Sequence, residues 1–147
     1  KKKLKPPALF VPDDFFCPWN IPTYFDKKIV HITPELDEEL REIIISEARK
    51  ASRSVYEGVY AQTLGPRLET KAEVRFLKNY ADVVGMNMAT EATLANELEL
   101  RFVNISSVDN YAHGIVNEEL KFEKILLNAR KNAETIKKIL GGVIKSI

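Results

Sequence analysis

Alternation of strand-like and helix-like stretches predicts an α/β fold for this chain of 147 residues. Three observations carry that prediction. Runs rich in β-branched and aromatic residues recur, among them "SVYEGVYAQTLG" and "RFVNISSV". The stretches between them repeat apolar residues at helical spacing. Helix-start signals stand where one kind gives way to the other, at Thr33-Pro34-Glu35 and at Thr70 with Glu73. The length suits a single domain over residues 1–147.

The elements follow in order. The opening "KKKLK" reads as a solvated, frayed end. Pro6, Pro7, Pro12, Pro18 and Pro22 forbid a long helix over residues 6–27. That segment is predicted to be a short strand at Leu9–Val11 and then an ordered loop that packs its rings. "KKIVHI" is predicted as a short strand. Thr33, Pro34 and Glu35 supply a cap, a first-turn proline and a first-turn acid, so a helix is predicted to start there. It carries Leu36, Leu40, Ile43 and Ile44 on one face. "SVYEGVYAQTLG" is a strand that breaks at Gly65-Pro66. Thr70 and Glu73 form a capping box for the next helix. "ADVVGM" is a short buried strand, residues 90–99 a helix, and "RFVNISSV" a strand ending at Asp109-Asn110-Tyr111. The last helix keeps Phe122, Ile125, Leu126, Ala129, Ala133, Ile136 and Leu140 on one stripe, and Gly141-Gly142 is expected to stop it.

Composition narrows the function classes. Lys and Arg total 22 against 21 Asp and Glu, a net charge of +1, which gives no footprint for nucleic acid. No apolar run approaches the roughly 20 residues needed to cross a membrane. The single cysteine, Cys17, permits no intrachain disulfide and fits a reducing, cytoplasmic setting. No metal set and no cofactor motif stands out: His31 and His113 lie far apart, and the glycines never cluster into a phosphate cradle. Ligands in α/β folds gather at the carboxyl ends of strands. Gly65–Glu69, Gly85–Asn87 and Asp109–Tyr111 fall at such ends. Taken singly, each has a plain structural reading: Glu69 as a solvated residue near a cap, Asn110 as a turn residue, Arg67 and Arg75 as surface or ion-pair residues.

Taken together these motifs resemble one family. Gly65–Thr70, Ala72–Arg75, Ala81–Met86, Thr90-Glu91 and Asp109-Asn110 match, in order and spacing, the motifs of the trimeric purine nucleoside phosphorylases and methylthioadenosine phosphorylases. The upstream "VPDDFF" and "PTYFD" resemble the methylthioadenosine-type branch. The resemblance implies the C-terminal portion of a three-layer α/β/α fold around a central mixed sheet. It also implies that an N-terminal part, which in the family supplies the phosphate loop, stands outside this chain.

The implied reaction is phosphorolysis of a purine nucleoside or 5′-methylthionucleoside, with inorganic phosphate as co-substrate and no cofactor. By resemblance Asn110 is the catalytic, base-recognising residue. Its carboxamide can accept from purine N7–H and donate to a 6-oxo group. Glu69 matches the carboxylate that takes N1–H, so a 6-oxopurine is expected over adenine. Leu68, Met86, Asn87 and Asp109 match substrate-binding positions. Phe122, Ile125 and Leu126 would wall the 5′ end of the sugar, although helix packing explains them as well. Three positions depart from the family pattern: Leu68 replaces a phenylalanine, Asn87 a hydroxyl residue and Asp109 a threonine. The last two bear on phosphate. The expected partners are a purine nucleoside or free base, phosphate, and either further copies of the chain, a trimer by resemblance, or a complementary N-terminal chain. The alternatives are a non-catalytic, phosphorylase-like binding or partner subunit and, more weakly, a nucleosidase that uses water.

Overall fold

Pro12 does not end the first strand. In this computed structural model, which describes residues 4–117, 119 and 121–147, β1 runs from Ala8 to Phe16. It extends five residues beyond the expected Leu9–Val11. The pairing of β1 with β2 (Tyr56–Gln62) shifts register between Pro12 and Asp14. A proline is tolerated at such a bulge because its missing N–H removes no ladder bond there. The Lys1–Lys3 part of the basic run lies outside the described residues.

Four strands make one sheet in the order β3-β2-β1-β4, with β3 at Val83–Gly85 and β4 at Ser106–Val108. β1, β2 and β3 are parallel, and β4 is antiparallel to β1, so the sheet is mixed as expected. Strand alternation sends Leu9 and Val11 to one face and Ala8 and Phe10 to the other. Leu9 and Val11 meet Ile44, Ile45 and Ala48 of α1 (Glu38–Lys50) and Ile139 and Val143 of α4 (Phe122–Ser146). Phe10 and Tyr60 meet Met88 and Ala92 of α3 (Met88–Glu97). Ala61 packs on Leu77 of α2 (Lys71–Leu77). Helices therefore flank both faces of the sheet.

Five further expectations are corrected. "KKIVHI" forms no strand, and Ile29 is exposed. α1 starts four residues later than Thr33-Pro34 predicts. Asp37 is its N-cap and accepts from the Leu40 amide at 2.8 Å. The backbone before it bonds to distant groups instead: Glu35 exchanges two hydrogen bonds with the Asn96 carboxamide, and the Asp37 amide donates to the Phe102 carbonyl at 2.7 Å. That last bond also draws Phe102 out of the expected 101–108 strand, leaving Ser106–Val108.

α4 passes through Gly141-Gly142 and ends at Ser146. Gly142 marks a close approach of two helices, since a Cβ there would overlap the Glu47 carboxylate of α1. The buried stripe of α4 is also rotated from the expected one. It centres on Asn128, Asn132, Ile139 and Val143, while Phe122, Leu126 and Leu140 are exposed.

Candidate active site

The first wall is the turn between β2 and α2. The Thr63 amide donates to the Gly85 carbonyl at 2.8 Å, extending the pairing of β2 with β3 by one residue. The chain then turns at Gly65-Pro66. A Cβ on Gly65 would sit 2.8 Å from the Met86 sulfur, so glycine lets the turn reach the β3–α3 junction. Thr70 and Glu73 close the expected capping box. Glu73 also takes both ends of the Arg67 guanidinium, at 2.8 and 2.7 Å. That guanidinium, with the Thr70 amide, holds the Glu73 carboxyl down at about 2. Between these fixed points lies Glu69, buried, with Oε1 accepting from the Thr63 hydroxyl at 2.5 Å. Leu68 beside it is half exposed.

The second wall is the junction of β3 and α3, where Met86 and Asn87 lie. Asn87 caps α3 without a side-chain bond, so its carboxamide is not spent on the helix. Gln62 secures the first turn in its place. Its Oε1 accepts from the Thr90 amide at 2.9 Å, and its Nε2 donates to the Thr90 hydroxyl at 2.6 Å. The Tyr60 hydroxyl accepts from the backbone of Asn87 and Met88 and leaves no room for a Cβ on Gly85. Burial raises the Tyr60 phenol above its ordinary range, nearby Glu91 and Glu69 add to the rise, and the two backbone bonds offset part of it. The phenol therefore stays neutral at physiological pH.

The third wall follows β4. Asn128 of α4 donates to the Asp109 carbonyl at 2.7 Å. Asn132 donates to the Ala8 carbonyl at 3.0 Å and to the Ser107 hydroxyl at 2.8 Å. The Ser107 hydroxyl in turn donates to the Asp109 carboxylate. Two buried asparagines thus fix the loop that presents Asn110. The Asn110 amide spends one hydrogen on the Tyr111 carbonyl at 2.9 Å. A second hydrogen and the side-chain oxygen remain for a ligand.

These walls enclose one cavity of about 610 Å³. Leu68, Glu69, Met86, Asn87, Asp109 and Asn110 all line it, so six of the sequence-predicted site residues meet in space. Phe122 and Leu126 do not: they are exposed, and neither lines this cavity nor the smaller one of about 240 Å³ beside it. Ile125 reaches the smaller cavity, together with His113, Lys5 and Lys121. Sequence reasoning passed over Tyr60, Gln62, Thr63, Asn128 and Asn132. The adjacent polar pair Gln62-Thr63 at the end of an apolar strand was the available signal. The asparagines of α4 gave none, because a hydropathy pattern does not show which polar residue finds a carbonyl.

Among the described residues that line the larger cavity, Glu69, Glu91 and Asp109 are acidic and Lys78 is basic. Such a surface favours neutral, donor-rich ligands and does not favour an anion. Among the described residues no group of three or more His, Cys, Asp or Glu could hold a metal ion. No helix among them is long and apolar enough to cross a membrane.

The phosphorylase superfamily model matches residues 1–145. A probable 6-oxopurine nucleoside phosphorylase of Archaeoglobus fulgidus is 42% identical over 143 residues, covering 96% of this chain and 59% of that protein. A probable S-methyl-5′-thioinosine phosphorylase of Methanocaldococcus jannaschii is 41% identical over 145 residues, covering 95% and 58%. The chain thus spans about three fifths of the length of these curated relatives. The structure of methylthioadenosine phosphorylase from Schistosoma mansoni in complex with adenine superposes with a TM-score of 0.89 at 23% identity, covering 99% of this chain and 61% of that one. At that identity the likeness speaks for the fold alone.

Proposed function

This chain belongs to the phosphorylase superfamily, and from that premise we propose that it builds the base site for phosphorolysis of a purine nucleoside or 5′-methylthionucleoside, with a preference for 6-oxopurines. The observation that carries the reading is the meeting of the Glu69 carboxylate and the Asn110 carboxamide in one cavity. A 6-oxopurine offers N1–H to the first. To the second it offers an acceptor at O6 and, once N7 takes up the proton that hydrogen phosphate gives up in forming the sugar ester, a donor at N7. An ionised aspartate at position 110 could not donate to O6, whereas an asparagine can. The names of the two curated relatives, one for a 6-oxopurine and one for a thioinosine substrate, support the same preference.

In this reaction the bond from C1′ of the sugar to N9 breaks and its electron pair goes to the purine. A phosphate oxygen forms the new bond to C1′. Negative charge therefore grows on the base. Hydrogen bonds aimed at O6 and N7 stabilise the transition state more than the substrate. By the family resemblance Met86 would face the ribose, and Asn87, where relatives carry a hydroxyl residue, would face phosphate.

A second reading has its own support. Among the described residues Glu69, Glu91 and Asp109 line the cavity, and Asp109 adds charge where phosphate must approach. That balance suits a base-binding or partner subunit that does not turn substrate over. Exposed Phe76, Tyr80, Leu98, Leu100 and Leu127 support association with further copies or with a complementary chain. The lone Cys17 is in keeping with the cytoplasm.

The test is incubation of the purified chain with phosphate and inosine, guanosine, adenosine, methylthioinosine or methylthioadenosine, following release of free base. Phosphate-dependent release from the 6-oxo members is the expected result once the N-terminal part that supplies the phosphate loop in the family is present, added as a complementary chain where this chain alone releases none. Binding of inosine without release favours the second reading. Neither binding nor release from any member removes the proposal.

A further inference from the structure

We propose that Thr63 is a positioning residue that sets how this pocket treats the 2-position of a 6-oxopurine, by occupying one oxygen of Glu69. The inference rests on the base-site reading above and goes beyond it. Thr63 does not line the cavity, but Glu69 does. Both are buried, at 5% and 8% exposure, so water competes little for the bond between them.

The geometry gives that bond a direction. A threonine hydroxyl has one proton. The Glu69 Oε1 lies 2.5 Å away, and the alternative acceptor, the Gly85 carbonyl, lies 3.4 Å away. The proton therefore goes to the carboxylate. The backbone of Thr63 is itself tied to the sheet through its amide bond to Gly85 at 2.8 Å. Glu69 sits in a turn, yet its carboxylate is referenced to the sheet.

The consequence is an asymmetric carboxylate. Oε1 already holds a charge-assisted hydrogen bond, while Oε2 has no hydrogen-bond donor among the described residues. Hypoxanthine presents one donor on this edge, N1–H, and one free oxygen satisfies it. Guanine presents two adjacent donors, N1–H and a 2-amino hydrogen, which match two free oxygens side by side. With Thr63 on one of the two lone-pair sites of Oε1, the second donor meets a weakened acceptor whose direction of approach is restricted. Removing the hydroxyl loosens Glu69 for every 6-oxopurine, but it also restores the full acceptor strength of the oxygen that a 2-amino group needs.

Calorimetric titration of the full chain with inosine and with guanosine tests this, on wild type and on T63V, T63A and T63S. Two variants lack the hydroxyl so that the result does not depend on the folding of one, and a thermal melt by circular dichroism confirms each fold. In T63V and T63A inosine is expected to weaken about tenfold. Guanosine is expected to weaken less, so the guanosine-to-inosine affinity ratio rises at least about threefold. T63S restores the wild-type ratio. A purely structural role would weaken both ligands equally. If wild type binds inosine and the ratio stays constant in T63V and T63A, the role of Thr63 is overturned and the base-site reading stands. If wild type binds neither nucleoside, the base-site reading falls and takes this inference with it.

Discussion

The two sides of the cavity are held by different means. The Glu69 side is local: within eleven residues Thr63 holds the Glu69 carboxylate, while Arg67, Thr70 and Glu73 clamp the turn through bonds that converge on Glu73. The Asn110 side depends on distant partners. Asn128 is 19 residues from Asp109, and Asn132 is 124 residues from Ala8. The caps and clamps of the first side come from a short stretch of sequence, with one tie to the sheet through the Thr63 amide and the Gly85 carbonyl. The second exists only when α4 is docked on the sheet. Damage to local bonds should change one residue's aim, whereas damage to α4 should change stability and site geometry together.

The largest expected effect separates the two sides by chemistry. Glu69→Gln replaces the acceptor for N1–H with a carboxamide. Affinity for inosine is expected to fall about 10- to 100-fold, with adenosine far less affected. Titration of both nucleosides reads the difference. An equal loss for both would remove Glu69 from base recognition.

Asn128→Ala tests the distant side. It leaves the Asp109 carbonyl without its donor, at a cost of about 1–3 kcal/mol in denaturant unfolding. Inosine affinity should fall with it, because the loop that carries Asn110 loses its anchor. Loss of stability at unchanged affinity would show that the loop holds its geometry without α4.

Gly141→Ala should act in the opposite direction. Nothing lies within 4 Å of a Cβ at this position, inside a continuous helix. A gain of about 0.5–1 kcal/mol is expected from helix propensity. A loss would mean that α4 breaks at the glycine pair.

The smallest effect lies in acid and concerns the local side. Glu73 is lowered from 4.5 to about 2 by Arg67 and the Thr70 amide. A folded-state value below the unfolded one contributes stability above the unfolded value, and that contribution is lost as pH falls through the folded one. The contribution of Glu73 should therefore fade between pH 4.5 and about 2. Glu73→Gln should flatten unfolding midpoints across that window and leave their slope at higher pH unchanged.

The same division governs how much could be read in advance. The capping box at Thr70 and the alternation of strands with helices were legible because their signals are local: a side chain reaching three residues on, and alternation of period 2 against 3.6. The extension of β1 through Pro12 was not, because a bulge is decided by the neighbouring strand. The start of α1 was misplaced for a similar reason. Thr33-Pro34 is a sound local signal, but bonds from Asn96 and Phe102 hold that backbone extended and hand the cap to Asp37. Gly141-Gly142 was read as a stop, although the helix continues through it and Gly142 lies where the Glu47 side chain of α1 reaches α4.

The sequence by itself determined the residues that meet at the cavity, Leu68, Glu69, Met86, Asn87, Asp109 and Asn110, because each follows a strand whose pattern is short-range. Only the tertiary structure decided which face of α4 is buried. Phe122 and Leu126 belong to the more apolar stripe, yet Asn128 and Asn132 go inside, since each finds a backbone carbonyl there that needs a donor. The tertiary structure alone also placed Thr63 on one oxygen of Glu69. A hydrogen bond between buried groups depends on where the turn folds back against the strand, and no spacing rule carries that information.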